Sequence, residues 1–337
     1  MKSTYCLPKS ILKKCISKTS EKFNSKQLLT VLLILLSPLT IAQEPINPIP
    51  LVLKTDPNKV MLGEKLFSDT ILSSNNTISC ASCHDLKLKF GTDLTAVSTG
   101  VDGRQGTRNA PTVYNSVFNF AQFWDGRANN LTHQAMEPIT NPLEMGMASW
   151  EKTVKKIKES SDYKKLFDAA YNGEITKENT VDAIAEFGKT LITPNSIFDQ
   201  YLRGNKDMIT SEQKKGYELF KSYGCIACHQ GINVGGNMYQ KFGVVKDINF
   251  IDGSLNKDLG RFNITGNEWD KRVFKVPSLR LVTKTPPYFH DGSVATLDEA
   301  VAIMIEFQLG RKVPNTDKKA IIRFLESLVG EIPTGVK

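Results

Sequence analysis

Four of the six cysteines and two of the four histidines fall in two identical frames, Cys80-Ala81-Ser82-Cys83-His84 and Cys225-Ile226-Ala227-Cys228-His229. Three chemistries use Cys-x-x-Cys. A structural zinc site needs four converging ligands, usually two such knuckles about 15–20 residues apart, whereas these pairs lie 145 positions apart. A thiol–disulfide redox pair has no use for a histidine immediately after it. Covalent haem attachment uses all three residues: the thiols add to the haem vinyl groups as thioethers, and the adjacent histidine sits beneath the iron as its proximal ligand. The pattern therefore predicts two covalently bound c-type haems, one on Cys80, Cys83 and His84 and the other on Cys225, Cys228 and His229.

The remaining cysteines, Cys6 and Cys15, fall in a leader. Seven lysines between Lys2 and Lys26 precede an apolar run, Leu28 to Ile41, and small residues end it at Ala42. That order predicts a cleaved signal peptide over 1–42, and hence export. The run is short for a membrane span of about 20 apolar residues and holds Pro38, although the long basic segment leaves an uncleaved anchor as the alternative. The leader's seven lysines and one acid carry +6 of the formal +8, so the exported chain is left at +2. A nucleic-acid partner, which calls for basic residues clustered on the folded domain, is not expected.

The elements around the two motifs repeat. Gly63-Glu64-Lys65-Leu66-Phe67 precedes the first, and Gly216-Tyr217-Glu218-Leu219-Phe220 precedes the second. Each follows a helix-start signal: Asp56 before Pro57, and Thr210 with Gln213 three residues later, a capping box. Their glycines predict close helix approach, and their Leu-Phe edges predict packing on haem. Downstream, Pro111 leads to Phe123-Trp124-Asp125-Gly126 and Pro277 to Phe289-His290-Asp291-Gly292, with 14 positions from proline to aspartate in both. Between the copies, Val154, Ile157, Val181, Ile184, Phe187 and Leu191 recur at helical spacing. The fold class expected is mainly α: two cytochrome c-like haem domains related by internal duplication, over 43–200 and 201–337.

The ordered motifs CASCH, RNAPTVYN, QFWDGRA, NPLEMGM, CIACH, KVPSLR, TPPYFHDGS and AVAIM resemble the bacterial di-haem cytochrome c peroxidases over essentially the whole exported chain. The resemblance implies reduction of hydrogen peroxide to water by electrons from a small cytochrome c or copper protein, and a periplasmic homodimer. It implies that the N-terminal haem is the peroxidatic one, with Glu144 and Gln134 lining its pocket, and that Trp124 lies between the haems. His290 is implied near a haem propionate. Met304, 75 positions after His229, is implied as the sixth ligand of the C-terminal, electron-accepting haem, where methionine opposite histidine raises the potential. Met238 is too near His229 to reach the opposite haem face, and His133 is expected at the surface. The resemblance further implies calcium held by the Asn109 side chain and by the carbonyls of Thr285 and Pro287.

The chain departs from the family where many members hold a displaceable histidine, in the loop before NAPT. Here Val101 falls at that place, and Gly100, Gly103 and Gly106 suggest a mobile gate. The expectation is an N-terminal haem open or weakly capped in the oxidised protein. Two other readings stay open: an electron-transfer cytochrome with Met145 or Met147 on the first iron, and a related oxidase that matures an amine dehydrogenase. The latter group carries a tyrosine where this chain has Met304.

Overall fold

The computed structural model describes residues 44–248 and 258–333; the predicted leader over 1–42 lies outside them. The described chain is mainly helical. Its α-helices are α1 (Pro57–Ser68), α2 (Cys80–Cys83), α3 (Leu131–Thr140), α4 (Trp150–Glu159), α5 (Ser161–Tyr171), α6 (Lys177–Thr190), α7 (Ile197–Leu202), α8 (Ser211–Tyr223), α9 (Phe262–Thr265), α10 (Leu297–Ile303) and α11 (Asn315–Glu326). One small antiparallel sheet pairs β1 (Tyr239–Lys241) with β2 (Val273–Lys275), Tyr239 opposite Lys275.

The helix starts follow from local chemistry. Asp56 caps α1 through its side chain, which accepts from the amides of Asn58 and Lys59, and Pro57 occupies the first turn, where its missing N–H costs nothing. Thr210 and Gln213 form the expected capping box on α8. Both helices then meet a partner at a glycine. A Cβ on Gly63 would lie 1.9 Å from the carbonyl oxygen of Ala183 in α6, and one on Gly216 would lie 1.9 Å from that of Ala320 in α11. The absent side chains let α1 lie on α6 and α8 on α11 at backbone distance.

Two apolar clusters form around these pairs. Leu62, Leu66, Ile157, Phe167 and Val181 fill the first; Phe198, Tyr217, Phe220, Ile321 and Phe324 fill the second. Each fully buried Leu or Phe contributes about 1.5–3 kcal/mol. The clusters do not divide at residue 200, since Phe198 already lies in the second. Ile46, expected in the first domain, packs in the second cluster with Phe198 and Tyr201. The strand-like segment it belongs to is drawn there by hydrogen bonds: the Gly231 amide donates to Pro45 O (2.8 Å) and the Tyr217 hydroxyl to Glu44 (2.6 Å). A fully buried ion pair, Arg280 with Asp199 at 2.8 Å, lies beside it, and Arg280 also donates to Asn47 O.

Between the two helices of each pair lies a turn, and the two turns have matching backbones. Phe123 and Phe289 adopt φ of 67° and 70°, and Gly126 and Gly292 adopt 69° and 64°. Isolated bridges Gln122–Ala128 and Tyr288–Val294 close both turns.

Candidate haem cavity

Both Cys-x-x-Cys-His motifs open onto one continuous cavity of about 1120 Å³, lined by Cys80, Cys83, His84, Cys225, Cys228 and His229. That exceeds the roughly 300–1,000 Å³ of an ordinary small-molecule pocket. The motifs are positioned by short turns of helix that follow α1 and α8, and Phe67 and Phe220 at the ends of those helices line the cavity. Leu66 does not: it faces the first core, so only the Phe of each expected Leu-Phe edge meets the cavity.

The two proximal histidines are held alike. His84 Nδ1 bonds Gly91 O at 3.0 Å and His229 Nδ1 bonds Val234 O at 3.2 Å. A carbonyl partner fixes the tautomer with hydrogen on Nδ1 and leaves Nε2 as a lone-pair donor. Burial keeps both rings neutral, lowering the His84 pKa and taking that of His229 to about 4. The thiols move the other way. Burial pushes Cys80 up to about 12 and Cys225 up to about 11. Reactive redox cysteines have depressed values, so the geometry speaks against disulfide exchange.

Glu144 and Gln134 both line this cavity. Gln134 projects from α3, and Glu144 follows in the turn after it. Glu144 is near enough to Cys80 and Cys83 for its charge to raise both thiol pKa values, which assigns it to the first motif. Burial raises its own pKa, opposed by a 2.6 Å hydrogen bond from Asn141 Nδ2. Asn141 was not singled out from the sequence. The signal was the Asn-Pro pair: its Oδ1 accepts from Leu143 N, forming a side-chain turn that aims the next residue.

The loop carrying Val101 differs from the expected gate. Val101 is buried, its amide donates to Glu144 O at 2.8 Å, and a Cβ on Gly100 would lie 2.2 Å from Leu143 O. Gly100 therefore serves close backbone approach to the Glu144 turn rather than looseness. Gly103, at φ +73° and in open space, is the position that needs glycine for its conformation. Val101 itself is not among the cavity-lining residues. Met145 lines the cavity, whereas Met147 is buried in the first core away from it.

At the second motif, Met304 lines the cavity and begins a π-helical turn, Met304–Gln308. Such wide turns re-aim side chains and are frequent at functional sites. Met238 does not line the cavity. Trp124 packs with Met304 against Phe242, Phe274 and Phe307. Its indole N–H donates to Asn109 O at 2.9 Å, and its own carbonyl accepts from Lys275 N at 2.7 Å, so it lies where the two halves meet. His290 stacks on Phe274 with centroids 4.2 Å apart, and its Nε2 is buried with no hydrogen-bond partner among the described residues. Asn109, Thr285 and Pro287 line the same cavity. His133 does not; it accepts from Asn129 N at its helix start.

A chain of charges, also unforeseen, crosses the same region. Glu137 in α3 pairs with Arg127 at 2.6 Å, Arg127 with Asp125 at 3.1 Å, Asp125 with Arg108, and Arg108 with Asp258 at 2.6 Å. Only the Asp-Gly-Arg run hinted at it, since Asp258 lies 150 positions from Arg108.

The residues present fit haem. Neutral imidazoles with free Nε2 atoms, paired thiols beside them, an apolar cavity large enough for more than one such group, and an orphaned His290 nitrogen all match its chemistry. The profile described as di-haem cytochrome c peroxidase matches residues 57–207. Cytochrome c peroxidase Ccp of Escherichia coli strain K12 is 49% identical over 288 residues, 85% of this chain; the chain spans 61% of that relative's length. Cytochrome c551 peroxidase of Nitrosomonas europaea is 44% identical, with 87% of this chain and 86% of the relative aligned. The chain belongs to the di-haem cytochrome c peroxidase family. A solved MauG-like protein associated with microbial copper homeostasis has the same fold, with a TM-score of 0.73 at 27% identity over 88% of this chain and 96% of that one. Family membership implies that the protein carries two haems.

Proposed function

We propose that this protein is a peroxidase that reduces hydrogen peroxide to two waters, taking two protons and two electrons, the electrons from a small cytochrome c or copper protein. The observation that carries the reading is the difference between the two ends of the cavity: a buried carboxyl, Glu144, at the first motif and a thioether, Met304, at the second. Haem held at each motif would supply an iron able to exchange electrons.

The remaining work falls to the chain. His84 and His229 are held as neutral donors by Gly91 O and Val234 O. Met304 would supply a thioether to the C-terminal haem, and sulfur ligation would favour the reduced form and make that haem the entry point for electrons. Trp124 lies in the path from there to the first motif. Glu144 would accept a proton from the peroxide and return it to the departing oxygen, general acid–base catalysis of O–O cleavage. Its raised pKa brings it nearer to the working pH of such a shuttle. Gln134 donates to the bound peroxide and orients it. His290 donates to a haem propionate through its unpartnered Nε2.

Calcium belongs to the same proposal. Asn109 Nδ2 is spent on Thr95 O and Ala96 O, which leaves Oδ1 to join the Thr285 and Pro287 carbonyls and waters in an all-oxygen shell. The matching turns at Phe123 and Phe289, and at Gly126 and Gly292, support an internal duplication of two cytochrome c-like halves. Export of a cleaved form to the periplasm and assembly as a homodimer complete the reading.

Stopped-flow and steady-state assays with hydrogen peroxide and a reduced small cytochrome test the function. Wild-type protein consumes peroxide and oxidises two equivalents of donor per peroxide. Glu144→Gln retains both haems and loses about 10²–10⁴-fold in rate. Absence of turnover by the fully loaded wild type leaves an electron-transfer cytochrome in its place.

A further inference from the structure

Among the described residues Lys275 is a buried cation with no anion of its own. It is 6% exposed, it lines the cavity, and no described carboxylate pairs with its ammonium. Other cations away from solvent are paired: buried Arg280 meets Asp199, and half-buried Arg108 meets Asp125 and Asp258. The position of Lys275 is not accidental to a loose strand. Its backbone is fixed in β2 opposite Tyr239 and by the bond from its amide to Trp124 O. Burial pulls its pKa down to about 8, and no described acid opposes the effect. An uncompensated ammonium in such a place is expensive and calls for a counter-charge. The same cavity also holds the unpartnered Nε2 of His290, a second donor awaiting an acceptor.

We infer that Lys275 is a cofactor-binding residue whose ammonium pairs with a propionate carboxylate of a bound haem. The pairing completes the lysine's charge only in the loaded protein, and it sets the potential of the haem it touches. A carboxylate left bare stabilises the ferric state; an ammonium against it removes that bias and favours the ferrous state. The inference rests on haem occupancy, not on peroxide turnover, so a failure of the peroxidase reading leaves it standing.

The test is a potentiometric titration of the purified di-haem protein, wild type against Lys275→Met and Lys275→Arg, with haem content checked from the absorption spectrum. Lys275→Met lowers the midpoint of one haem and leaves the other where it was, while Lys275→Arg restores it. Should Lys275→Met fail to mature, Lys275→Gln is titrated in its place and the same one-haem lowering is expected. Two unchanged midpoints in a fully loaded neutral variant overturn the inference. A wild-type midpoint that tracks added inorganic phosphate also overturns it, because the lysine then serves a diffusible anion.

Discussion

Asn141 grips Glu144 at 2.6 Å, Nδ2 to Oε1, across a turn of three residues at the end of α3. The bond stabilises the ionised carboxylate and so opposes the burial that raises its pKa. Removing it leaves burial unopposed. In Asn141→Ala the carboxylate stays protonated to higher pH, and the acid side of the rate profile for peroxide reduction moves upward. The pH dependence of kcat/KM checks this; an unmoved acid limb refutes it.

Met304 supplies sulfur at the start of the π turn. Replacement by a nitrogen ligand, Met304→His, lowers the midpoint of the C-terminal haem, since methionine ligation is what raises it. Redox titration followed in the visible spectrum reads the change, and the second midpoint stays in place.

Val101 has no ligating atom, is buried, and has its amide tied to Glu144 O. The fully oxidised protein therefore carries one high-spin haem and reacts with peroxide before any reductant is added. Electron paramagnetic resonance of the ferric protein gives the answer. Two low-spin signals, unchanged by peroxide, would sink this expectation.

Gly63 and Gly216 tolerate no side chain, because a Cβ at either meets a backbone carbonyl at 1.9 Å. Gly63→Ala and Gly216→Ala each cost about 1–3 kcal/mol, the usual range for overpacking. Denaturant unfolding of the loaded protein measures it.

Acid conditions act on the proximal histidines as well. Before haem is attached, burial holds His229 at about 4, below its ordinary 6.5. A folded-state pKa below the unfolded one means the unfolded chain takes up the proton first. Stability of the haem-free fold is thus lost as pH falls from about 6.5 toward 4 and is retained above 6.5, which thermal unfolding across that window tests.

What was legible in the sequence was local. Asp56 with Pro57 and Thr210 with Gln213 announce their helices because a cap satisfies amides only two or three residues away. The haem motifs were legible for the same reason, their ligands being contiguous. Gly63 and Gly216 could be read as sites of close approach, though not their partners Ala183 and Ala320, which lie more than 100 positions downstream. Lys275 looked like any solvated lysine, since nothing in VFKVP says that both faces of its strand are covered. Gly100 was misread because glycine signals looseness and tight approach with one letter, and only the carbonyl of Leu143 decides between them. The return of Ile46 to the second cluster was hidden too, being a pairing across most of the chain.

That return has a consequence for biogenesis. Asn47 O, near the start of the described chain, accepts from Arg280, 233 positions later. The Asn47 carbonyl therefore waits, without this partner, until Arg280 has been made. A fragment starting after residue 200 lacks this strap and leaves Tyr217, Gly231 and Arg280 without their partners at Glu44, Pro45 and Asn47.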